Sequence, residues 1–304
     1  MVYKIINYLA VLYMTALKEY IKSKRPKLGD SSVITYNSIL KNLYKHVFGP
    51  GEIDVKKFDE TEPVLKHLKE LPAGKRKTIL SALVIITDDK KYRDLMLKDI
   101  KEYTADISKQ EKTEAQKENW VTAEDINSLW DQLRHNADLL YKKTQLTSGD
   151  LQQIQSYIII SLLGGIFIPP RRSLDYVNFK TKDIDREKDN YLDKKDLLFN
   201  SYKTSKTYGE QRVGLPPVLK SILTKWIKVN PTPYLLFDTN MGQLSSVKLN
   251  QRLNKLFGGK KIGINALRHS YLTDKYAASN NALANDMKSM GSSINMATTY
   301  IKND

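Results

Sequence analysis

The 304-residue chain has no cysteine. That excludes disulfides, thiolate metal ligands and cysteine nucleophiles, and it leaves the redox compartment unreadable. Histidine is scarce, and His46, His67, His135 and His269 are too scattered to form a zinc motif. Long hydrophobic runs are missing too. The longest, 157–168, is interrupted by Ser161 and falls short of the roughly 20 residues that a membrane span requires. The N-terminal MVYKIINYLAVLYM is apolar for a short stretch. No small-residue cleavage site follows it, so it reads as a packed helix rather than a signal peptide. No internal repeat is evident.

Positive charge is abundant. The chain carries 49 Lys+Arg against 34 Asp+Glu, a net charge of +15. Such a balance suits a polyanionic partner, nucleic acid first among them, although a lysine-rich solvated surface also accompanies an AT-rich genome such as that of a mobile element or virus. Hydrophobic residues at 41% and aromatics at 9% describe a folded chain, long enough for two domains with separate cores.

The first hundred residues read as several helices. Ser31 or Ser32 is placed to cap a helix carrying Tyr36, Ile39, Leu40, Leu43, Tyr44 and Val47, which GPGE at 49–52 ends. Further helices are expected near Pro63–Leu71 and Lys75–Ile86. The polar run SKQEKTEAQKEN, 108–119, reads as a linker between a helical domain at 1–107 and a second domain at 120–304. The second domain opens with Thr122-Ala-Glu-Asp125, the pattern of a capping box. A buried helix is expected over Leu151–Ile168, stopped by Pro169-Pro170. A β-hairpin is expected over Leu197–Leu215, with its turn near Tyr208-Gly209. Later helices are expected at Pro217–Val229, Ser246–Phe257, Ala266–Ala278 and Ala282–Met290. The fold class is therefore mainly α, with one small antiparallel β-sheet in the second, mostly helical domain.

Four separated segments carry the chemistry: PPRRSLDYVNF (169–179), YKTSKT (202–207), NALRHSYLT (265–273) and MGSSINMATTYIK (290–302). In order they supply arginine, lysine, arginine and tyrosine. Breaking a phosphodiester through a protein nucleophile requires an attacking oxygen, cations for the phosphate and its developing charge, and a proton donor for the leaving oxygen. Arginine suits the phosphate because its planar fork binds two oxygens and stays charged. Lysine can hold charge or pass a proton. Tyrosine, with an ordinary pKa of about 10, needs nearby cations to favour its phenolate.

These segments resemble the tyrosine recombinase (integrase) family. In that family the first arginine precedes an acidic residue by three positions and a short apolar stretch follows. Arg172-Ser-Leu-Asp175 with Tyr176, Val177 and Phe179 fits, favouring Arg172 over Arg171. The family's hairpin lysine is matched first by Lys203 and second by Lys206, both expected where the first strand meets the turn. The His-x-x-Arg motif followed by His-Ser/Thr is matched by Asn265-Ala-Leu-Arg268-His269-Ser270. Asparagine thus replaces the leading histidine and offers hydrogen bonds without a titratable proton; His269 is a candidate to compensate. Ser292 stands where the family's Leu-Gly-His-Ser segment has its histidine, and Tyr300 follows eight residues later rather than about nine. A one-residue deletion accounts for both departures equally well.

The resemblance implies a site-specific DNA strand-breaking and rejoining enzyme. A helical core-binding domain and a catalytic domain would form a C-shaped clamp on double-stranded DNA. Tyr300 would form a 3′-phosphotyrosyl intermediate and free a 5′-hydroxyl. No cofactor or metal ion is implied, since the covalent bond conserves the phosphodiester energy. The assembly implied is a homotetramer on two DNA sites with no membrane association, located wherever the DNA is. Three rival readings remain: a catalytically impaired DNA-binding protein on the same fold, a type IB topoisomerase-like enzyme, and a helical scaffold for acidic protein partners.

Overall fold

A computed structural model describes residues 16–290 together with Ile294 and Ala297. The N-terminal apolar segment at 1–14, Ser292 and Tyr300 lie outside the described residues. The chain divides into two compact units, Met1–Glu111 and Lys112–Asp304. It is mainly helical, with one small sheet. Among the described residues no helix is long and apolar enough to cross a membrane, and no group of three or more His, Cys, Asp or Glu could hold a metal ion.

In the first unit a helical stretch at 16–24 is followed by α1 (Asp30–Phe48), a 3-10 turn (Val55–Asp59), α2 (Thr61–Leu68), α3 (Ala73–Thr87) and α4 (Lys90–Ser108). Helix α1 starts at Asp30 behind Gly29, with no side-chain cap, rather than at Ser31 or Ser32. It buries Val33, Leu40, Leu43 and Tyr44 at the helical spacing of one face. Gly49, at φ 92°, ends it in a conformation that suits glycine. Helices α3 and α4 pack on each other around Leu80, Leu83 and Tyr92. They are separated by Asp88 at φ 56° and by Asp89, whose carboxylate accepts from the Lys91 and Tyr92 amides and restarts the helix. The Tyr92 hydroxyl donates to the Phe58 carbonyl at 2.7 Å. Across the same contact Arg76 grips the fully buried Asp99 with two hydrogen bonds, Nη2 to Oδ1 at 2.5 Å and Nε to Oδ2 at 2.7 Å.

The second unit opens with α5 (Glu114–Glu118), which occupies part of the polar run read as a linker. The division at Glu111 and Lys112 falls within the same run. Next come α6 (Ala123–Leu140) and α7 (Ser148–Leu163). The box at the start of α6 forms as expected: Thr122 Oγ1 accepts from the Asp125 amide, and Asp125 Oδ2 accepts from the Thr122 amide. A second box, Thr147 with Asp150, starts α7. There the Lys143 ammonium at 2.7 Å, with the Thr147 amide and hydroxyl, pulls the Asp150 carboxyl down to about 2. A depressed folded-state pKa gives stability that is present above the unfolded value and lost as pH falls through the folded one. We therefore expect Asp150→Asn to lower the melting temperature at about pH 5, with the gap to wild type closing as pH falls toward about 2, as followed by thermal denaturation. A gap independent of pH would contradict this.

Helix α7 is a buried centre of the unit, with Ile154, Ile158, Ile159, Leu162 and Leu163 in the core. It ends at Leu163, before the expected stop at Pro169-Pro170. The reason is Gly164-Gly165. Gly165 takes φ 78°, and a Cβ there would stand 2.6 Å from a ring carbon of Tyr271, so only glycine permits this turn.

Beyond the prolines the order is α8 (Ser173–Val177), β1 (Phe179–Lys180), β2 (Asn190–Asp193), β3 (Asp196–Phe199), α9 (Ser205–Tyr208), β4 (Gln211–Gly214), α10 (Pro217–Val229), α11 (Ser246–Leu256) and α12 (Ile264–Ser289). The sheet runs β1-β2-β3-β4. Its first pair is parallel and the other two antiparallel, so it is mixed rather than purely antiparallel. The expected hairpin is β3 with β4, in the register Leu197↔Val213 and Phe199↔Gln211. Helix α12 is continuous where two helices were expected. The segment between them, Ala278-Ser-Asn-Asn-Ala282, contains no glycine or proline to break the backbone ladder.

Candidate active site

Arg171 and Arg172 follow Pro169-Pro170 directly and lead into α8, with Arg172 at its N-cap. Arg171 and Arg172 diverge sharply in environment. Arg171 Nε donates to Asp175 Oδ2 at 2.8 Å, and its Nη1 donates to Gln211 Oε1 at 2.8 Å. Its guanidinium lies over the Phe199 ring at 4.0 Å and the Tyr202 ring at 5.2 Å. The ion pair with Asp175 therefore belongs to Arg171, at the i,i+4 spacing of a helical turn. Arg172, the residue preferred from sequence, caps α8 with its backbone, is half-buried, and has no side-chain hydrogen bond or ion pair among the described residues.

Arg268 lies on the second turn of α12, half-buried and likewise without a hydrogen bond or ion pair among the described residues. The turn is anchored on both sides by Ile264 and Leu267 in the core. The next turn packs Tyr271 on Gly165. Arg172 and Arg268 meet electrostatically at Asp175. Burial raises that carboxyl above the ordinary carboxylate range, against the lowering influence of Arg171, then Arg172, then Arg268. Asp175 Oδ1 is buried and accepts no hydrogen bond. The charges of three guanidiniums thus act on one carboxylate, and only Arg171 is bonded to it. A guanidinium keeps its charge at any pH a protein tolerates. Arg172 and Arg268 both act on Asp175 through their charge, and neither has its guanidinium donors engaged among the described residues, which leaves both forks open to an anion.

The lysines lie on the segment between β3 and β4. β3 ends at Phe199, four residues before Lys203, where the first strand was expected to meet the turn, because the chain there turns into a short loop and α9. Lys203 sits in the turn and Lys206 in α9; both are exposed and without a hydrogen bond or ion pair among the described residues. Asn265 and His269 are exposed on α12, one turn apart, and flank Arg268. Ser292 and Tyr300 fall outside the described residues; of the expected set, the contacts tie the lysine loop to Arg171 and Asp175 beside Arg172, and Arg268 is related to them only through its charge on Asp175.

Sequence reading missed three supporting residues: Arg171 as the partner of Asp175, Gln211, and Asn190. The Arg171–Asp175 spacing was a usable signal. Asn190 and Gln211 act across the sheet, where no local pattern points to them.

No family model matches the chain and no curated protein matches it. Among solved structures the chain is similar to a lambda integrase dimer bound to a COC′ core site, at 12% identity and TM-score 0.44, covering 89% of this chain and 71% of that one. It is also similar to lambda integrase residues 75–356, a dimer bound to the same core site, at 12% identity and TM-score 0.42, covering 88% and 92%. A third is the XerH site-specific recombinase bound to difH substrate in a pre-cleavage complex, at 13% identity and TM-score 0.38, covering 96% and 93%.

Proposed function

We propose that this protein is a site-specific DNA recombinase or integrase that breaks and rejoins double-stranded DNA through a 3′-phosphotyrosyl intermediate. The observation that carries the reading is the pair of half-buried guanidiniums of Arg172 and Arg268, unbonded among the described residues, whose charges act on the same buried carboxylate that Arg171 bonds. In this reading their two forks hold the non-bridging oxygens of the scissile phosphate and the charge that builds on them. Asn265 adds a hydrogen bond to the phosphate, and Ser292 another. Lys203, or Lys206 in its place, protonates the leaving 5′-oxygen. His269 supports Arg268 from the adjacent position. Tyr300 is the nucleophile, and a net charge of +15 draws the polyanion in. The helical unit at the N-terminal side serves as the core-binding domain, and the working assembly is a homotetramer on two DNA sites.

Covalent trapping on nicked duplex DNA in the presence of EDTA tests the reading. The expected product is protein joined to a 3′-phosphoryl end, with release of a strand bearing a 5′-hydroxyl. Plasmid relaxation without recombinant products would favour a topoisomerase-like enzyme instead. Salt-sensitive DNA binding with no adduct would favour an impaired binding protein, the reading to which the asparagine at position 265 lends weight.

A further inference from the structure

We propose that Arg171 and Asn190 are positioning residues that fix the lysine loop against the arginine pair, so that the proton donor reaches the leaving oxygen. This rests on the recombinase reading above. The loop between β3 and β4 carries two exposed lysines on a segment with few core contacts of its own. Left to itself such a loop would sample many conformations, and a proton donor works only within hydrogen-bond reach. The chain instead ties both ends of the loop down.

At the entry, Asn190 on β2 is fully buried and has every hydrogen-bonding group of its amide occupied. Its Nδ2 donates to the Asp175 carbonyl and the Ser201 carbonyl, each at 2.8 Å. Its Oδ1 accepts from the Asn200 amide at 2.9 Å and the Ser201 amide at 2.7 Å. One side chain thereby joins α8, which follows Arg172, to the two residues that start the loop. Across the loop, the Tyr202 hydroxyl donates to the Gly209 carbonyl at 2.7 Å and closes it on itself. At the exit, Arg171 holds Gln211 with one nitrogen and Asp175 with another, while its flat face covers Phe199 and Tyr202. Lys203 thus sits between Tyr202 and Gly209, on a loop whose two ends are both referred to Asp175. The entry is tied to its backbone carbonyl and the exit to its carboxylate, on which the charges of Arg172 and Arg268 also act.

The step this network serves forms the bond from the tyrosine oxygen to phosphorus and breaks the bond from phosphorus to O5′. The phenol proton is lost to solvent, and O5′ takes a proton from the lysine ammonium. A substrate with sulfur in place of the bridging O5′ leaves as a thiolate, which with an ordinary thiol pKa of about 8.5 needs far less help from a proton donor. The two substrates therefore separate a displaced proton donor from a damaged phosphate site.

Gln211→Ala and Tyr202→Phe each remove one tie and leave the packed rings in place; Asn190→Ala removes the entry tie. Single-turnover adduct formation is measured on nicked duplexes with 5′-oxygen and with 5′-sulfur bridges, with Lys203→Ala as reference. Each tie variant that melts with the wild type is expected to lose roughly 10-fold or more on the oxygen substrate, a part of the about 10²–10⁴-fold that general-acid catalysis supplies. On the sulfur substrate it should recover to near the wild-type rate, with DNA affinity unchanged. Equal loss on both substrates, or no loss on either in Gln211→Ala and Tyr202→Phe, overturns the positioning role. A wild-type protein that forms no adduct on either substrate overturns the recombinase reading itself, and the inference with it.

Discussion

Replacing Arg268 with alanine is expected to slow strand cleavage by roughly 10²–10³-fold, the effect of removing one donor that faces developing charge in a transition state. DNA binding at low salt is expected to fall far less, because one cation among many contributes little to the total contact with the backbone. The structure makes the forecast specific. Arg268 is half-buried with no partner to lose among the described residues, so its removal leaves no orphaned carboxylate bonded to it. Arg171 cannot substitute for it, since its guanidinium is committed to Asp175, Gln211 and two aromatic rings. Lysine at position 268 should restore little, because a single ammonium cannot reproduce a two-pronged grip on phosphate. Single-turnover cleavage of a nicked duplex beside an electrophoretic binding titration separates the two quantities. Equal loss of binding and cleavage would contradict a role in the transition state and leave Arg268 as a general backbone contact.

A comparable loss, of stability rather than rate, is expected from Asp99→Ala. Asp99 is fully buried between α3 and α4 and takes two hydrogen bonds from Arg76, whose side chain is itself 17% exposed. Arg76 also donates to the Leu71 carbonyl at 3.2 Å, so it cannot swing out to water without breaking the entry to α3. Removing one partner of a buried pair leaves a charge without compensation and costs about 3–5 kcal/mol. Replacing both residues by apolar ones of similar volume is expected to cost much less, because the penalty comes from the stranded charge and not from the loss of the pair. Chemical denaturation of wild type, Asp99→Ala and an Arg76→Met/Asp99→Leu double variant gives the comparison. A single variant no less stable than the double would contradict the account.

The parts legible in the sequence were those written in local patterns. Thr122 and Asp125 form their reciprocal cap, α10 spans the expected Pro217–Val229, and the apolar stripe of α1 faces the core. The parts that escaped depend on residues distant along the chain. Helix α4 escaped because only Tyr92 and Asp99 are buried along its 19 residues, which leaves almost no apolar period to read. Helix α7 stopped at the glycine pair rather than the prolines because Tyr271, more than a hundred residues later, requires a bare backbone at Gly165. Strand β2 escaped because its one buried polar residue, Asn190, is chosen for the loop it holds across the sheet and not for strand propensity. At the candidate site the proposed order Arg172, Lys203, Arg268 rests on spacing along the sequence. The assignment of the Asp175 ion pair to Arg171 needed the fold, since adjacent arginines look alike until their directions are known.

The central claim is that Tyr300 attacks a DNA phosphate held by Arg172 and Arg268. Its most direct test is covalent trapping on nicked duplex DNA, drawn from candidate target ends or a random pool and resolved on a denaturing gel, for wild type and Tyr300→Phe side by side. The account predicts an adduct with the wild type that disappears with the loss of one phenolic oxygen, while DNA binding persists in both. An adduct that survives in Tyr300→Phe, or DNA binding by the wild type with no adduct at all, would contradict it.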